Sequence, residues 1–172
     1  MKNRSNSITL LAITGLFAAM VTLMTAYICH IPYGANGGYI HFGDALIYTA
    51  PVFLPQPYAL AAAAIGAGLA DLLTAPMWAP ATIIIKILIT LPFTCKSDKI
   101  VSKRNIVAPF IAMIITIVGY YIAEGILFGS FAAAVASIYG NVIQGIVSAV
   151  IFFVFGAALD RAHLKSKAIF QI

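Results

Sequence analysis

The sequence predicts an all-α polytopic membrane protein, a six-transmembrane-helix bundle that forms one integral membrane domain over residues 1–172. Hydrophobic residues make up 62% of the chain and charged residues 9%, against about 25% charged residues in soluble domains. The mean hydropathy is +1.02. A helix needs about 20 apolar residues to cross the hydrocarbon, so a chain of this length has room for about six spans. It has none for a soluble nucleotide-binding domain.

The apolar runs and the Pro, Gly and basic breaks between them divide the chain into helices. The first run follows Lys2 and Arg4 and exceeds a usual signal-peptide core, and no A-x-A site follows it, so we expect a retained helix. The second predicted helix is short and contains Pro51, and it is therefore broken, tilted or partly embedded. A small-residue stretch at 129–136 is expected to turn the chain. The predicted helices are 8–28, 43–54, 58–73, 80–94, 106–127 and 137–159.

The basic residues indicate the orientation of the bundle. Every Lys and Arg except Lys86 lies in the N-terminus, the 96–105 loop or the tail, and alternate threading places these three segments on one side. The positive-inside rule makes that side cytoplasmic, so both termini are predicted to be cytoplasmic in a bacterial plasma membrane. The net charge of +5 is therefore interpreted as an orientation signal, and the lipid bilayer but no nucleic acid is expected as a partner.

The remaining polar residues collect in the opposite half of the bundle. Charges in hydrocarbon cost a few kcal/mol each and survive mainly in polar cavities or in pairs. Their shared depth predicts one polar pocket that opens to the outside. The residues are His41, Asp44, Asp71, Lys86, Glu124, Asn141 and Gln144.

Each of these residues also has a structural interpretation. Asp44 follows Gly43 at a helix start, where capping is favoured over ligand contact. Asp71 ends a helix, where the dipole disfavours an anion, so a cationic or hydrogen-bonding partner is expected. Lys86 and Glu124 are expected either to pair with each other or to face a ligand, and the sequence favours a ligand contact for at least one.

Three further features remain open between two roles. Asn141 and Gln144 share a helix face and either line the pocket or bond a neighbouring helix. His41 faces the pocket or the aqueous loop. Trp78, next to Met77 on a Pro-bracketed loop, is either an interfacial anchor or a lid that stacks on a flat ring.

Other chemistry finds little support in the sequence. Catalytic motifs, a phosphate-binding loop and metal-ligand spacing are absent, so we expect neither an enzyme nor a cofactor. Cys29 and Cys95 fall on opposite sides of the membrane in this threading, so no disulfide is predicted between them.

Gly15 and Ala19, like Thr14 and Ala18, have the small-xxx-small spacing that permits close helix approach.

The segment from Gly38 to Lys86 resembles a known family. It contains YIHFGDALIY, then a small-residue helix that ends GAGLADLLT, then MWAPATIIIK, and GNVIQG follows in helix six. This pattern is similar to the S components, the substrate-binding subunits, of energy-coupling factor (ECF) vitamin transporters. It is closest to the branch that includes riboflavin, pyridoxine and hydroxymethylpyrimidine binders.

The resemblance implies a non-catalytic subunit that binds a small vitamin from the extracellular side. Such a subunit docks through helix one onto a membrane T subunit that carries two cytoplasmic ATPases, which hydrolyse the ATP. It implies docking at Gly15 and Ala19. The implied substrate-binding residues are Tyr39, His41, Trp78, Lys86, Glu124, Asn141 and Gln144.

Two alternatives stay open beside this interpretation. Within the vitamin class, pyridoxine or hydroxymethylpyrimidine is favoured because buried donors and acceptors must be matched by the ligand, and riboflavin is the alternative. A self-contained secondary transporter is the rival from another class, although no paired repeat of broken helices supports it.

Overall fold

The computed structural model of the protein describes residues 2–32 and 38–165. Six α-helices account for most of it: α1 (Lys2–Leu23), α2 (Gly43–Phe53), α3 (Gln56–Thr74), α4 (Ala79–Thr90), α5 (Lys103–Leu127) and α6 (Phe131–Arg161). A π-helical turn, Met24–Ile28, extends α1, and a 3-10 turn, Pro76–Trp78, precedes α4. Strands β1 (Ile31–Pro32) and β2 (Tyr39–Ile40) form a short antiparallel hairpin.

Several helix ends differ from the sequence prediction. The start of α6 was predicted at residue 137, but the helix begins at Phe131 because Ser130 caps it by accepting a hydrogen bond from Ala133 N. The alanines that follow are strong helix formers. The turn is confined to the residues around Gly129, which has a φ of +68°. At the other side of the molecule, α4 ends at Thr90 rather than at residue 94.

Among the described residues, four helices are long and apolar enough to cross a membrane: Asn6–Ile28, Gln56–Thr74, Lys103–Leu127 and Phe131–Arg161. The segment Pro76–Thr90 is apolar but shorter, and α2 has only 11 residues. The protein is therefore an integral, multi-pass membrane protein in which α2 and α4 are the short members of the bundle.

The short helix α2 lies at the centre of the bundle. It packs against α1, α3, α4 and α6, and most of its residues are buried. Its Tyr48 ring stacks on Phe93 at 5.0 Å between centroids and meets the edge of Phe152 at 6.2 Å. This aromatic cluster fills the core between α2 and α6.

The basic loop between α4 and α5 is fixed to the end of α6. The Asp160 carboxylate accepts hydrogen bonds from Ile100 N at 2.7 Å and Val101 N at 2.9 Å. The Lys165 ammonium donates to Cys95 O at 2.9 Å, and burial lowers the pKa of Lys165. These bonds place the loop and the end of α6 at the same end of the molecule. Lys167 lies outside the described residues.

Helix α1 presents two different small-residue faces. Thr14 and Ala18 are buried, and Thr22 Oγ1 donates to Gly66 O of α3 at 2.9 Å. Gly15 and Ala19 are exposed on the outer face. The Thr14 and Ala18 spacing therefore serves packing within the bundle, whereas the Gly15 and Ala19 face is available to a partner.

The close approach of α1 and α3 predicts a stability difference between two glycines. A Cβ at Gly66 would lie 2.8 Å from Ala18 O and 2.8 Å from Val21 Cβ, whereas one at Gly15 meets nothing within 4 Å. We expect Gly66→Ala to lower stability by about 1–3 kcal/mol because the helices must separate. Gly15→Ala should leave thermal unfolding in detergent unchanged or slightly raised. Equal effects of the two substitutions would contradict this packing.

The positions of the two cysteines allow the predicted orientation to be measured. We expect a membrane-impermeant maleimide to label Cys29 in intact cells, and Cys95 only after the membrane is opened, because the cations mark the Cys95 side as cytoplasmic. The single variants Cys29→Ser and Cys95→Ser assign each signal. Labelling of Cys95 in intact cells would reverse the orientation.

Candidate functional site

A cavity of about 430 Å³ opens at the end of the bundle opposite the basic loop. The β2 strand, the turn before α4, the last turns of α3 and α5 and the first turns of α6 form its walls. Binding cavities for small molecules commonly range from about 300 to 1,000 Å³. The polar and aromatic residues that line it are Tyr39, His41, Asp71, Trp78, Thr82, Tyr120, Glu124, Ser137, Asn141 and Gln144.

The structure brings six of the seven sequence-predicted binding residues to this one cavity. They come from three separate parts of the chain: the loop after α1, the turn before α4, and the facing ends of α5 and α6. They are Tyr39, His41, Trp78, Glu124, Asn141 and Gln144. Lys86 does not line the cavity.

Lys86 pairs with Asp44 and not with Glu124. Its ammonium lies 2.7 Å from Asp44 Oδ1, and the two side chains are 0% and 1% exposed. The alternative in which Lys86 pairs with Glu124 is therefore wrong. A ligand contact for Lys86 stays a prediction. The sequence indicates that a buried Lys86 needs a partner, but it does not show which carboxylate on a neighbouring helix the ammonium meets.

The capping role expected for Asp44 is also corrected. The N-cap of α2 is Phe42, which makes no side-chain cap bond, and Asp44 lies in the first turn. Its second oxygen, Oδ2, accepts a hydrogen bond from Gln144 Nε2 at 2.9 Å. An unpaired charge at this depth would cost several kcal/mol, so the ammonium and the amide together stabilise the carboxylate.

Gln144 connects this ion pair to the wall of the cavity. Its Oε1 accepts a hydrogen bond from His41 N at 3.1 Å while its Nε2 bonds Asp44. Because a carboxylate only accepts and a backbone N–H only donates, the two bonds fix which way the amide points. The chain of contacts from Lys86 through Asp44 and Gln144 holds the start of α2 and the β2 strand against α6.

His41 is a neutral side chain within this wall. Its Nδ1 accepts a hydrogen bond from Gly43 N at 3.1 Å, which leaves the imidazole proton on Nε2. Burial lowers the pKa of His41 to about 3, so the ring stays uncharged at physiological pH. It adds no positive charge to the cavity.

Tyr39 anchors the β hairpin to α3. Its hydroxyl donates a hydrogen bond to Asp71, and its ring stacks on His30 with 4.0 Å between centroids. This hydroxyl is the hydrogen-bonding partner that the sequence expected for Asp71. Burial, followed by the charge of Asp71, raises the pKa of Tyr39.

Trp78 belongs to the cavity rather than to the membrane surface. It is 6% exposed, whereas its neighbour Met77 is 50% exposed. Its ring lies 6.0 Å from that of Tyr120 and 5.8 Å from that of Phe128. Its indole Nε1 is buried and has no hydrogen-bond partner among the described residues, so it is a donor that a bound molecule could satisfy.

Three polar or aromatic residues of the cavity wall were not predicted from the sequence: Thr82, Tyr120 and Ser137. Thr82 Oγ1 and the Tyr120 hydroxyl are 2.9 Å apart, and the Lys86 ammonium lies 5.4 Å from the centre of the Tyr120 ring. Each precedes a residue of the polar set by four positions: Thr82 precedes Lys86, Tyr120 precedes Glu124, and Ser137 precedes Asn141. Helical i,i+4 spacing was the signal that could have found them.

No group of three metal-ligating side chains occurs within residues 2–32 and 38–165.

Residues 5–161 match the family model described as ECF-type riboflavin transporter, S component. The chain is also 27% identical over 130 residues to a protein of Pyrococcus woesei described as "Uncharacterized protein in gap 3'region". That alignment covers 74% of this chain and 86% of the relative.

The ion pair predicts a double-mutant result. Lys86→Met should lower stability by about 3–5 kcal/mol because it leaves the Asp44 carboxylate buried without its cation. Adding Asp44→Asn should recover most of that loss, since the amide needs no counter-charge and still accepts from Gln144. Urea or thermal unfolding in detergent measures both, with the exposed Lys99→Met as the control. An unaltered stability of Lys86→Met would show that the pair contributes nothing.

Proposed function

The chain belongs to the ECF-type riboflavin transporter S component family, and on this premise we propose that it is the substrate-specificity subunit of an ECF-type importer. In this role it binds a small water-soluble vitamin or precursor in the cavity from the extracellular side. It performs no chemistry itself, and ATP hydrolysis by partner subunits drives uptake.

One observation carries this proposal: six residues predicted to bind substrate converge on a single cavity. The cavity combines aromatic walls with convergent polar groups, as small-molecule sites do. It lies at the end of the bundle away from the basic loop, which the positive-inside rule places in the cytoplasm. A ligand therefore enters from the outside.

The preferred ligand is a small hydroxylated heteroaromatic such as pyridoxine or hydroxymethylpyrimidine. Trp78, Tyr39 and Tyr120 offer ring contacts, while Glu124 and Asn141 offer polar partners in the same cavity. Such a ring places several donors and acceptors within a small volume, so few buried polar groups stay unmatched. Riboflavin is the second candidate because the family description names it.

The partners follow from the same family membership. A membrane T subunit with two cytoplasmic ATPases would receive the S component through the outer face of α1. Gly15 and Ala19 are exposed there, and a Cβ at Gly15 would meet no atom of this chain within 4 Å. Small residues allow a second helix to approach closely in lipid.

Two measurements test the proposed binding function. Mass spectrometry of ligand co-purified with the protein identifies the bound compound, and the fluorescence of Trp78, the one tryptophan in the sequence, reports binding. We expect saturable quenching by a water-soluble vitamin in the isolated protein. Failure of every vitamin to bind would contradict the proposal.

Substitutions on the outer face of α1 should separate binding from transport. Gly15→Leu and Ala19→Leu place a bulky side chain on that face, far from the cavity. We expect equilibrium binding within about twofold of the native value and uptake reduced about tenfold or more when the T subunit and ATPases are present.

An exposed alanine of another helix provides the matched control. Ala157 of α6 is exposed, and Ala157→Leu should leave uptake unchanged. Normal uptake by both α1 variants, with the complex still assembled, would show that this face is not the docking face.

A further inference from the structure

We propose that the cavity selects its ligand by charge: it accepts a neutral or cationic heteroaromatic that presents N–H or O–H donors, and it rejects anionic and phosphorylated forms. This inference rests on the proposed vitamin-binding function. It names the chemical class of the ligand, which family membership leaves open.

Two carboxyl groups face the cavity. Asp71 and Glu124 both line it and are 3% and 5% exposed. Each lies in the last turn of its helix, since Asp71 O accepts from Ala75 N and Glu124 O accepts from Phe128 N. The C-terminal end of a helix dipole favours a cation over an anion. The carboxyl groups therefore favour a ligand that donates hydrogen bonds or carries positive charge.

The described wall of the cavity adds no Lys or Arg beside these carboxyl groups. Lys86 is fully buried against Asp44. The other nine basic residues belong to the two ends of the chain and to residues 96–104, which are the loop before α5 and the first turn of α5. Residues 33–37 lie outside the described chain, but their sequence carries no charged side chain.

Helix N-termini are the other common anion sites, and at two helix starts near the cavity several N–H groups already have partners within the chain. At the start of α6, Ala133 N donates to Ser130 Oγ at 3.2 Å and Ala134 N donates to Ser130 O. At the start of α2, Gly43 N donates to His41 Nδ1, and Asp44 places a carboxylate in the first turn. In the described wall a phosphate would meet two carboxyl groups and no Lys or Arg side chain.

The aromatic wall fits the same class of ligand. The ring planes of Trp78 and Tyr120 are inclined to each other by 64° in an edge-to-face arrangement, with 6.0 Å between the ring centroids. Electron-rich aromatic faces attract cations within about 6 Å. A protonated or amino-substituted ring between these side chains gains this contact together with the carboxyl acceptors.

The test uses ligands that differ in charge at one position. We would titrate the native protein with pyridoxamine, pyridoxine and 4-pyridoxic acid, which carry an ammonium, an alcohol and a carboxylate on the same ring. Riboflavin and hydroxymethylpyrimidine would each be paired with their phosphate esters, and Trp78 fluorescence or calorimetry would give the dissociation constants.

We expect the dissociation constant of every anionic form to be at least about 100-fold higher than that of its uncharged parent, because like charges repel strongly in a site from which water is excluded. Pyridoxamine should bind at least as tightly as pyridoxine. An anionic form that binds within about tenfold of its parent overturns the charge selection while the vitamin-binding function stands. If no vitamin binds, both proposals fail.

Neutral variants of the same shape then identify the groups responsible. Glu124→Gln and Asp71→Asn should each reduce the discrimination against the anionic partner about tenfold or more, because each removes one negative charge from the wall. Ser137→Ala, which alters the wall without changing its charge, should leave the ratio unchanged. Discrimination that stays constant in both charge variants would overturn the assignment to these carboxyl groups.

Discussion

The bundle depends on the buried ion pair between Lys86 and Asp44. Two full charges at this depth would each cost several kcal/mol alone, and at 2.7 Å each satisfies the other. The pair therefore joins the start of α2 to the middle of α4. Through Gln144, which bonds both Asp44 and His41 N, it also joins α6 and the β hairpin. A short central helix is held in position by polar contacts at one end and by aromatic packing around Tyr48 at the other.

This arrangement divides the interior of the bundle into two layers. The ion pair and the Gln144 amide form the floor between the cavity and the apolar core, where Tyr48, Phe93 and Phe152 pack together. A polar solute in the cavity would meet a well-packed hydrophobic layer below it. Such a layer suits a subunit that binds and hands over a substrate better than one that conducts it along an internal path. The proposed dependence on partner subunits has this physical basis.

The sequence predicted the class of fold and the group of cavity residues for different reasons. Apolar run lengths and the distribution of cations identify a membrane bundle directly, and the shared depth of residues such as Glu124 and Asn141 predicts one pocket. Depth does not give rotation about a helix axis, so the sequence suggested Glu124 or a ligand, and not Asp44, as the partner of Lys86. The start of α6 was missed because small residues at 129–136 suit both a turn and a helix, and the Ser130 cap decides between them.

The same charge distribution that orients the protein also limits what its cavity can bind. In the orientation that the positive-inside rule predicts, Lys and Arg lie at the cytoplasmic end. The polar residues in the opposite half are mainly acceptors and neutral donors. Lys86 is the exception, and its ammonium forms an ion pair with Asp44. A site built in that half can recognise donors and rings readily, but to hold a phosphate it would need a cation that the topology disfavours. The distribution of Lys and Arg would thus determine both the orientation of the protein in the membrane and the charge of the ligand. A related chain that binds an anion should have an additional basic residue near the cavity.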